Sequence, residues 1–372
     1  MVFNLNIGII GVGNVGKRAA YLLKNEGFNV TLFDYNENSL KKVSNELNLS
    51  YKKVNVLDMQ SCLSLKDIDL AITSLPGSIA FNALKNIVSL GINVVDVSFF
   101  PEDPKDIGEI AEKNGVSVLL DAGVAPGLSN MLISYGMNKL GKINGGRIYV
   151  GGITQMPDPP FGIIASWNTM DLIDEYRRKA RLISNGKVIE MDPLSSEIGK
   201  IYVKGVGELE YFPTDGLRSL LYTFNKLDYL AEYTLRWPGH IEFMRGLKKL
   251  GLLDHKKIKI NDAEIYADEF LSNVIASYKS NLNDIVVLVV ETLNKDKGIR
   301  FTQITTPEND FTAMSRVTGS FLSYAGIEFI KGKIKKKAGL LYPEYLGELD
   351  TGEDIINMMK KDGMPIIEEI IK

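Results

Sequence analysis

The chain has 372 residues, 45% of them hydrophobic and 24% charged, with 46 acidic residues nearly balancing 43 basic ones for a net charge of -3. That length exceeds one ordinary hydrophobic core, so two domains are expected, and the charge balance leaves no field that would draw nucleic acid or anionic lipid. A single cysteine, Cys62, excludes an intrachain disulfide and a cysteine-rich metal site.

The N-terminal "MVFNLNIGIIGVG" has no basic flank before its apolar stretch and runs directly into glycines, so it reads as a first strand and not as a signal peptide. β-rich runs then follow at 5–11, 29–34, 51–57, 68–76, 93–98 and 116–123. Between them lie "VGKRAAYLLKNEG", "ENSLKKVSNELN", "SIAFNALKNIVSLG" and "DPKDIGEIAEKNG", with apolar residues at helical spacing and mostly a closing Gly or Asn. This alternation is that of a parallel sheet covered by helices. From "GGRIYVGGITQ" the rhythm changes: "GKIYVKGVGELEYF" and "IVVLVVETLN" read as longer strands with few crossover helices, hence a second, more antiparallel domain. The apolar run "IVVLVV" within it is too short to cross a bilayer. A helical pattern returns at "FTAMSRVTGSFLSYAGIEFIKGKI", and "DIINMMKKDG" with "IIEEIIK" ends the chain. The basic run "KGKIKKKAG" reads as a solvated helix end. The expectation is a cytoplasmic protein acting on a small molecule, with no nucleic acid, membrane or metal partner.

"IGIIGVGNVG" places Gly11, Gly13 and Gly16 in the G-x-G-x-x-G spacing, after a strand and opening a helix, with Asn14 and Val15 in the same turn. The first glycine allows the tight turn, the second leaves room for a pyrophosphate, and the third lets helix and strand pack closely. Free N–H groups at the helix start then face the phosphates. Asp34 stands 18 positions after Gly16, at the end of the second strand, where a carboxylate accepts from both ribose hydroxyls and repels a 2'-phosphate. The "YNEN" that follows, beginning at Tyr35, holds no Arg or Lys, so NAD is expected over NADP. Asp58, after the third strand, serves either the adenine amino group or a helix cap. Ser74, Pro76, Ser98 and Phe99 end the fourth and fifth strands and are positional candidates for the nicotinamide half.

Three further segments narrow the picture: "LLDAGVAPGLSNML", "GELEYFPTDGLRSLLYTF" and "EYTLRWPGHIE". With the glycine motif and "GLLYPEYLG" they resemble the saccharopine dehydrogenase family over essentially the whole chain, and within it are most similar to lysine 6-dehydrogenases. The resemblance implies an α/β fold: a Rossmann-type doubly wound parallel sheet plus an inserted α+β domain with a large mixed sheet. It places the dinucleotide-binding domain at 1–122, completed by about 310–372, and a substrate-binding and dimerisation domain at 123–309, in a homodimer. It also implies NAD-dependent oxidation of the side-chain amine of L-lysine, release of ammonia and cyclisation of the semialdehyde to a piperideine carboxylate. Relatives act instead on saccharopine, and a carboxylated polyamine or a non-catalytic dinucleotide sensor are the remaining alternatives.

Amine oxidation needs an anchor for the α-carboxylate, a partner for the α-ammonium and a dry pocket before the nicotinamide. Arg236 is expected to bind the carboxylate bidentately, the other reading being an ion pair with Glu232 or Glu242. Asp121 either attracts an ammonium and assists proton removal or caps the following helix. His240 either relays a proton near neutrality or positions substrate or Arg236. Gly123, Pro126 and Gly127 are expected to shape a turn whose N–H groups face the ligand. Gln155 and Thr214 are candidates for the pocket rim, and Trp167 and Trp237 either wall the pocket or pack in the core. Arg177 and Arg178 are the cations available to a second substrate carboxylate, the other reading from helical spacing being that both face solvent.

Overall fold

The computed structural model describes residues 5–164, 168–278, 280–334 and 338–372. The chain forms two compact units, the first running up to Lys139 and taking in Ser315–Pro365, the second made of Leu140–Met314 and Ile366–Lys372.

In the first unit, strands β1 (Asn6–Ile10), β2 (Asn29–Asp34), β3 (Ser50–Lys53), β4 (Leu70–Thr73), β5 (Asn93–Asp96) and β6 (Ser117–Leu119) alternate with helices. These are α1 (Asn14–Asn25), α2 (Glu37–Leu47), the single turn α3 (Met59–Cys62), α4 (Gly77–Ser89), α5 (Lys105–Asn114) and α6 (Leu128–Leu140). β1, β4 and β5 are nearly all buried, as strands covered on both faces must be. The core between sheet and helices gathers Ile10, Phe33, Ala71, Leu84, Val94 and Val118.

The second unit begins with β7 (Gly145–Thr154), α7 (Thr169–Arg177), β8 (Ala180–Ser184), β9 (Lys187–Met191), β10 (Gly199–Val203) and β11 (Gly207–Pro213). It continues through α8 (Leu220–Thr223), β12 (Tyr229–Arg236), α9 (His240–Lys249), β13 (Lys257–Ile260), β14 (Ala263–Tyr266), α10 (Ala267–Ser277), β15 (Asp284–Leu293) and β16 (Gly298–Thr305). "GKIYVKGVGELEYF", expected as one strand, is the hairpin β10–β11, broken where Gly205 and Gly207 turn through positive φ.

After α11 (Ala313–Ile330), β17 (Gly339–Leu341) lies parallel to β6 and completes a seven-stranded parallel sheet of order β17-β6-β5-β4-β1-β2-β3. Following α12 (Leu349–Lys361), β18 (Ile367–Ile371) pairs antiparallel with β16, at one edge of the nine-stranded mixed sheet of the second unit. An α/β fold with a parallel Rossmann-like sheet and a second mixed sheet is therefore what the chain adopts. In the second unit Leu172, Tyr176, Phe212, Ile241 and Met244 pack on one face of the sheet, and Tyr149, Leu235, Val287 and Val289 on the other. That division is the two-residue period of β12, which sends Glu232, Thr234 and Arg236 one way and Tyr233 and Leu235 the other. No described helix is long and apolar enough to cross a membrane.

Candidate functional site

The glycine turn of the first unit has the shape its spacing implies. Gly11 sits at φ +92, where a side chain is strained, and a Cβ there would run into the Ser74 carbonyl. A Cβ on Gly16 would strike the Gly11 carbonyl oxygen, so helix and strand touch backbone to backbone. A Cβ on Gly13 would meet nothing within 4 Å, which leaves open space above the start of α1. With no acidic residue in the first turn of α1, that space suits an anion, so the residues present fit a dinucleotide pyrophosphate.

Asp34 closes the same turn from β2. Its carboxylate accepts the Val12 N–H at 2.8 Å and the Asn36 N–H at 2.8 Å. The cap of α2 is Asn36, whose side chain accepts from Asn38 and Ser39, so Asp34 is not a helix cap. Tyr35 is 68% exposed, and the Lys53 ammonium stands 5.4 Å from its ring. The linear reading of "YNEN" missed this cation because it arrives from β3, whose Lys53 is in register with Asp34. Asp58 is exposed and caps α3 by accepting the Gln60 N–H, which favours the capping side of its two readings.

Beyond β4 and β5 the expected ligand contacts are corrected in part. Ser98 is 4% exposed; its hydroxyl donates to Asp96 and accepts the Leu75 N–H, so it serves the loops and not a ligand directly. Pro76 is exposed just before α4, Ser74 is half-buried with its hydroxyl 3.5 Å from the Gly11 carbonyl, and Phe99 is half-buried. Gly77 lies against the Phe99 carbonyl, so the two loops are in contact. Asp121, just past β6, is buried and held at φ 57, a left-handed conformation uncommon for a residue with a side chain and a form of strain found at functional positions.

The turn after Asp121 is closed on itself. Gly123 N–H is shared between the Asp121 and Pro126 carbonyls, Gly127 N–H goes to the Asn130 side chain, and Gly127 at φ +136 sits directly on the Gly123 backbone. The expectation that the Gly123 and Gly127 N–H groups face a ligand is therefore wrong: both are spent within the turn, which Pro126 closes through its carbonyl.

In the second unit "TLRWPGH" resolves into a chain of hydrogen bonds. His240 opens α9 and is 1% exposed; its Nδ1–H donates to the Phe161 carbonyl at 2.5 Å. Its Nε2 must then accept, and it does so from the Tyr176 hydroxyl at 2.8 Å. The same hydroxyl accepts the Arg236 Nε–H at 2.9 Å, and Arg236 pairs through Nη2 with Glu175 at 2.6 Å. Burial, with the Arg236 charge close by, holds His240 down to about 3. It stays neutral through the physiological range and cannot relay a proton near neutrality, so the proton-relay expectation is corrected to a positioning one. Burial pushes the Tyr176 hydroxyl up to about 12, so it too keeps its proton.

Arg236 is 1% exposed, and its ion pair is with Glu175, not with either acid weighed from the sequence. Glu242 pairs with Arg245 instead. Glu232 is buried beside Thr214, with no partner for its Oε2 among the described residues; burial and the neighbouring Asp215 push it up to about 8. Thr214 is 5% exposed and bonds Thr234 at 2.9 Å, so it lies in the interior and not on a rim. Gln155 is exposed at the end of β7. Trp237 donates to the Thr154 carbonyl and packs with the sheet, beside a small pocket of about 50 Å³ that Pro160, Phe161 and His240 also line. Trp167 lies outside the described residues. Arg177 is paired with Asp174 and Asp268, Arg178 with Asp174, and Arg181 with Asp215.

The residues missed from sequence are Glu175, Tyr176, Asp96 and Lys53. None carries a local signal, because each acts on a partner from a distant segment.

A family model described as saccharopine dehydrogenase NADP binding domain matches residues 7–119, and one described as saccharopine dehydrogenase C-terminal domain matches residues 123–364. The mitochondrial alpha-aminoadipic semialdehyde synthase of Bos taurus is 23% identical over 266 residues, covering 66% of this chain and 28% of that protein. The saccharopine dehydrogenase (NADP(+), L-glutamate-forming) of Pyricularia oryzae is 22% identical over 299 residues, covering 76% of this chain and 65% of that protein. The chain thus spans little more than a quarter of the length of the synthases it matches. In fold it is similar to apo histidine-tagged saccharopine dehydrogenase (L-Glu forming) from Saccharomyces cerevisiae, with a TM-score of 0.79 and 19% identity over 99% of this chain and 100% of that one. Between them the two family models cover almost every residue from the first strand to the end of the last helix, and the chain belongs to the saccharopine dehydrogenase family.

Proposed function

We propose that the protein is a nicotinamide-dependent dehydrogenase that oxidises the side-chain amine of L-lysine, with NAD as its cofactor. The observation that carries the choice of substrate is the set of carboxylates near Arg236, of which Asp171 and Glu232 have no arginine among the ion pairs described. Asp171 helps to raise Glu175, and Asp215 and Glu175 help to raise Glu232, while Arg177, Arg178 and Arg181 are each matched to an acid. Such surroundings suit an amino acid with a cationic side chain better than an adduct bearing two further carboxylates.

NAD, when bound, takes up the hydride from the carbon that bears the amine. The turn at Gly11, Gly13 and Gly16 offers the N–H groups of α1 to the phosphates, and Asp34 orients the adenosine ribose. Asp121 attracts the amine and takes up its proton at the carboxyl end of the sheet. Arg236 binds the α-carboxylate in exchange for Glu175, while His240 and Tyr176 keep its guanidinium in one orientation. Holding that orientation in advance lowers the cost of ordering the site on binding. The reading includes a homodimer, which light scattering of the purified protein tests.

The deciding experiment is the absorbance of reduced nicotinamide produced with L-lysine, L-ornithine and saccharopine, each against NAD and NADP. Turnover of lysine with NAD is the expected result, and turnover of saccharopine alone would overturn it. A second reading, a saccharopine dehydrogenase using NADP, is favoured by the names of the relatives and by Lys53, which stands at Tyr35 where a 2'-phosphate would be neutralised. Lys53→Ala separates the two: it leaves kcat/KM for NAD unchanged under the first reading and abolishes NADP use under the second.

A further inference from the structure

Asp96 ends β5, is fully buried, and gathers donors from two neighbouring strand ends. Its Oδ1 accepts the hydroxyl of Thr73, the last residue of β4, at 2.6 Å and that of Ser98 at 2.7 Å. Its Oδ2 accepts the Ser98 N–H at 3.0 Å. Having given its proton to Asp96, the Ser98 hydroxyl accepts the Leu75 N–H at 3.1 Å, so the loop after β4 hangs through a serine from the carboxylate of the next strand. The backbone of the same residue holds a third loop, because the Asp96 carbonyl accepts the N–H of Ala122 at 2.8 Å, immediately after the left-handed Asp121. Segments following β4, β5 and β6 therefore meet at one side chain and its peptide. In an open parallel sheet those carboxyl ends are where a bound ligand lies.

We propose that Asp96 is a positioning residue for the nicotinamide half of the dinucleotide, fixing the loops at Leu75, Ser98 and Asp121 in one arrangement. The proposal rests on reading the first unit as a nicotinamide dinucleotide site. Three donors converge on Asp96, and an ionised carboxylate can accept all of them. An amide could not, since its NH2 would oppose either the Ser98 N–H or the two hydroxyls. Burial, together with the nearby Asp121 carboxylate, pushes Asp96 up to about 7, and Asp121 is the charged group facing it among the described residues. Because burial raises this value above that of an exposed carboxylate, protonation favours the buried arrangement over a loosened, solvated one, and a proton on Oδ1 leaves Oδ2 to accept the Ser98 N–H, so the loops hold as the pH falls.

The test uses the full chain and two ligands, NADH and ADP, of which ADP lacks the nicotinamide half. Asp96→Asn is expected to weaken NADH about tenfold, the scale of one buried donor left unpaired, while the dissociation constant for ADP stays put. Equal weakening of both ligands, or undiminished NADH binding, overturns the proposal. Should Asp96→Asn fail to fold, Ser98→Ala removes the bridge to Leu75 and keeps the carboxylate; the same NADH-selective loss supports the proposal and its absence overturns it. A wild-type chain that binds neither ligand overturns the dinucleotide reading and this proposal with it.

Discussion

The glycine turn of the first unit and the arginine cluster of the second are built from opposite materials. Around Gly11, Gly13 and Gly16 the working groups are backbone N–H donors and empty space, supplied within one strand-turn-helix run. Around Arg236 they are the side chains of Glu175, Tyr176 and His240 and the carbonyl of Phe161, drawn from three segments, with Arg236, Tyr176 and His240 buried. A site of the first kind is altered by adding volume. One of the second kind is altered by removing a member, because the next group along is then left unpaired in the interior.

The largest test of this contrast is Arg236→Ala. Removing the guanidinium strands Glu175 and Tyr176, and a loss of about 3–5 kcal/mol is expected in denaturant unfolding of the second unit. NADH affinity should be spared, and an equal loss of it would mean that the two sites are not independent.

Next in size is a pair of glycine variants. In Gly16→Ala the new methyl presses on the Gly11 carbonyl, and a cost of about 1–3 kcal/mol is expected together with weak NADH binding. Gly13→Ala meets no protein atom, so its melting temperature should match the wild type while NADH affinity falls by about tenfold or more as the methyl enters the phosphate space. A Gly13→Ala chain that binds NADH normally would remove the reason for placing a pyrophosphate there.

A smaller and pH-specific effect concerns His240. Its value is depressed in the folded state, so the stability it contributes is fully present above the ordinary 6.5 and drains away as the pH falls toward about 3. His240→Asn keeps a donor for the Phe161 carbonyl but has no ring to titrate, and its unfolding free energy should be flatter than that of the wild type across the window. A wild-type curve already flat there would return His240 to the list of proton carriers. The smallest expected effect is Glu232→Gln. Glu232 is raised in the folded state from 4.5 to about 8, so the stability it contributes is present below 4.5 and is lost as the pH rises through about 8. In the acid range the variant should lie within about 0.5 kcal/mol of the wild type. Above pH 8 it should be the more stable of the two, and calorimetry at both ends of the range checks the sign.

The same contrast explains what could be read from the letters. The spacing of Gly11, Gly13, Gly16 and Asp34 is a statement about backbone, and backbone geometry is local, so it could be read from the sequence. "TLRWPGH" could be recognised as unusual but not interpreted, since Tyr176, which fixes the roles of both Arg236 and His240, lies 60 residues away from the one and 64 from the other. Asp96 passed as an ordinary strand residue in "NVVDVS", because the hydroxyls of Thr73 and Ser98 become visible only when β4 and β5 lie side by side. "GKIYVKGVGELEYF" misled for another reason: the alternation of strand residues continues through Lys204 to Val206, and only the positive φ of Gly205 and Gly207 reveals the reversal.

The path of the chain also bears on how the protein is made. β18 leaves the ribosome after every other strand described here, and it covers the free edge of β16, from Gly298 to Thr302. Until then the second unit exposes an unpaired edge while the chain is busy completing the parallel sheet of the first with β17 and α12. Neither unit can be finished by a continuous stretch of nascent chain. A stop codon at Ile366 should therefore yield a product whose parallel sheet is whole but whose β16 edge is open to pairing with other molecules, a cause of aggregation during synthesis that is separable from any loss of chemistry.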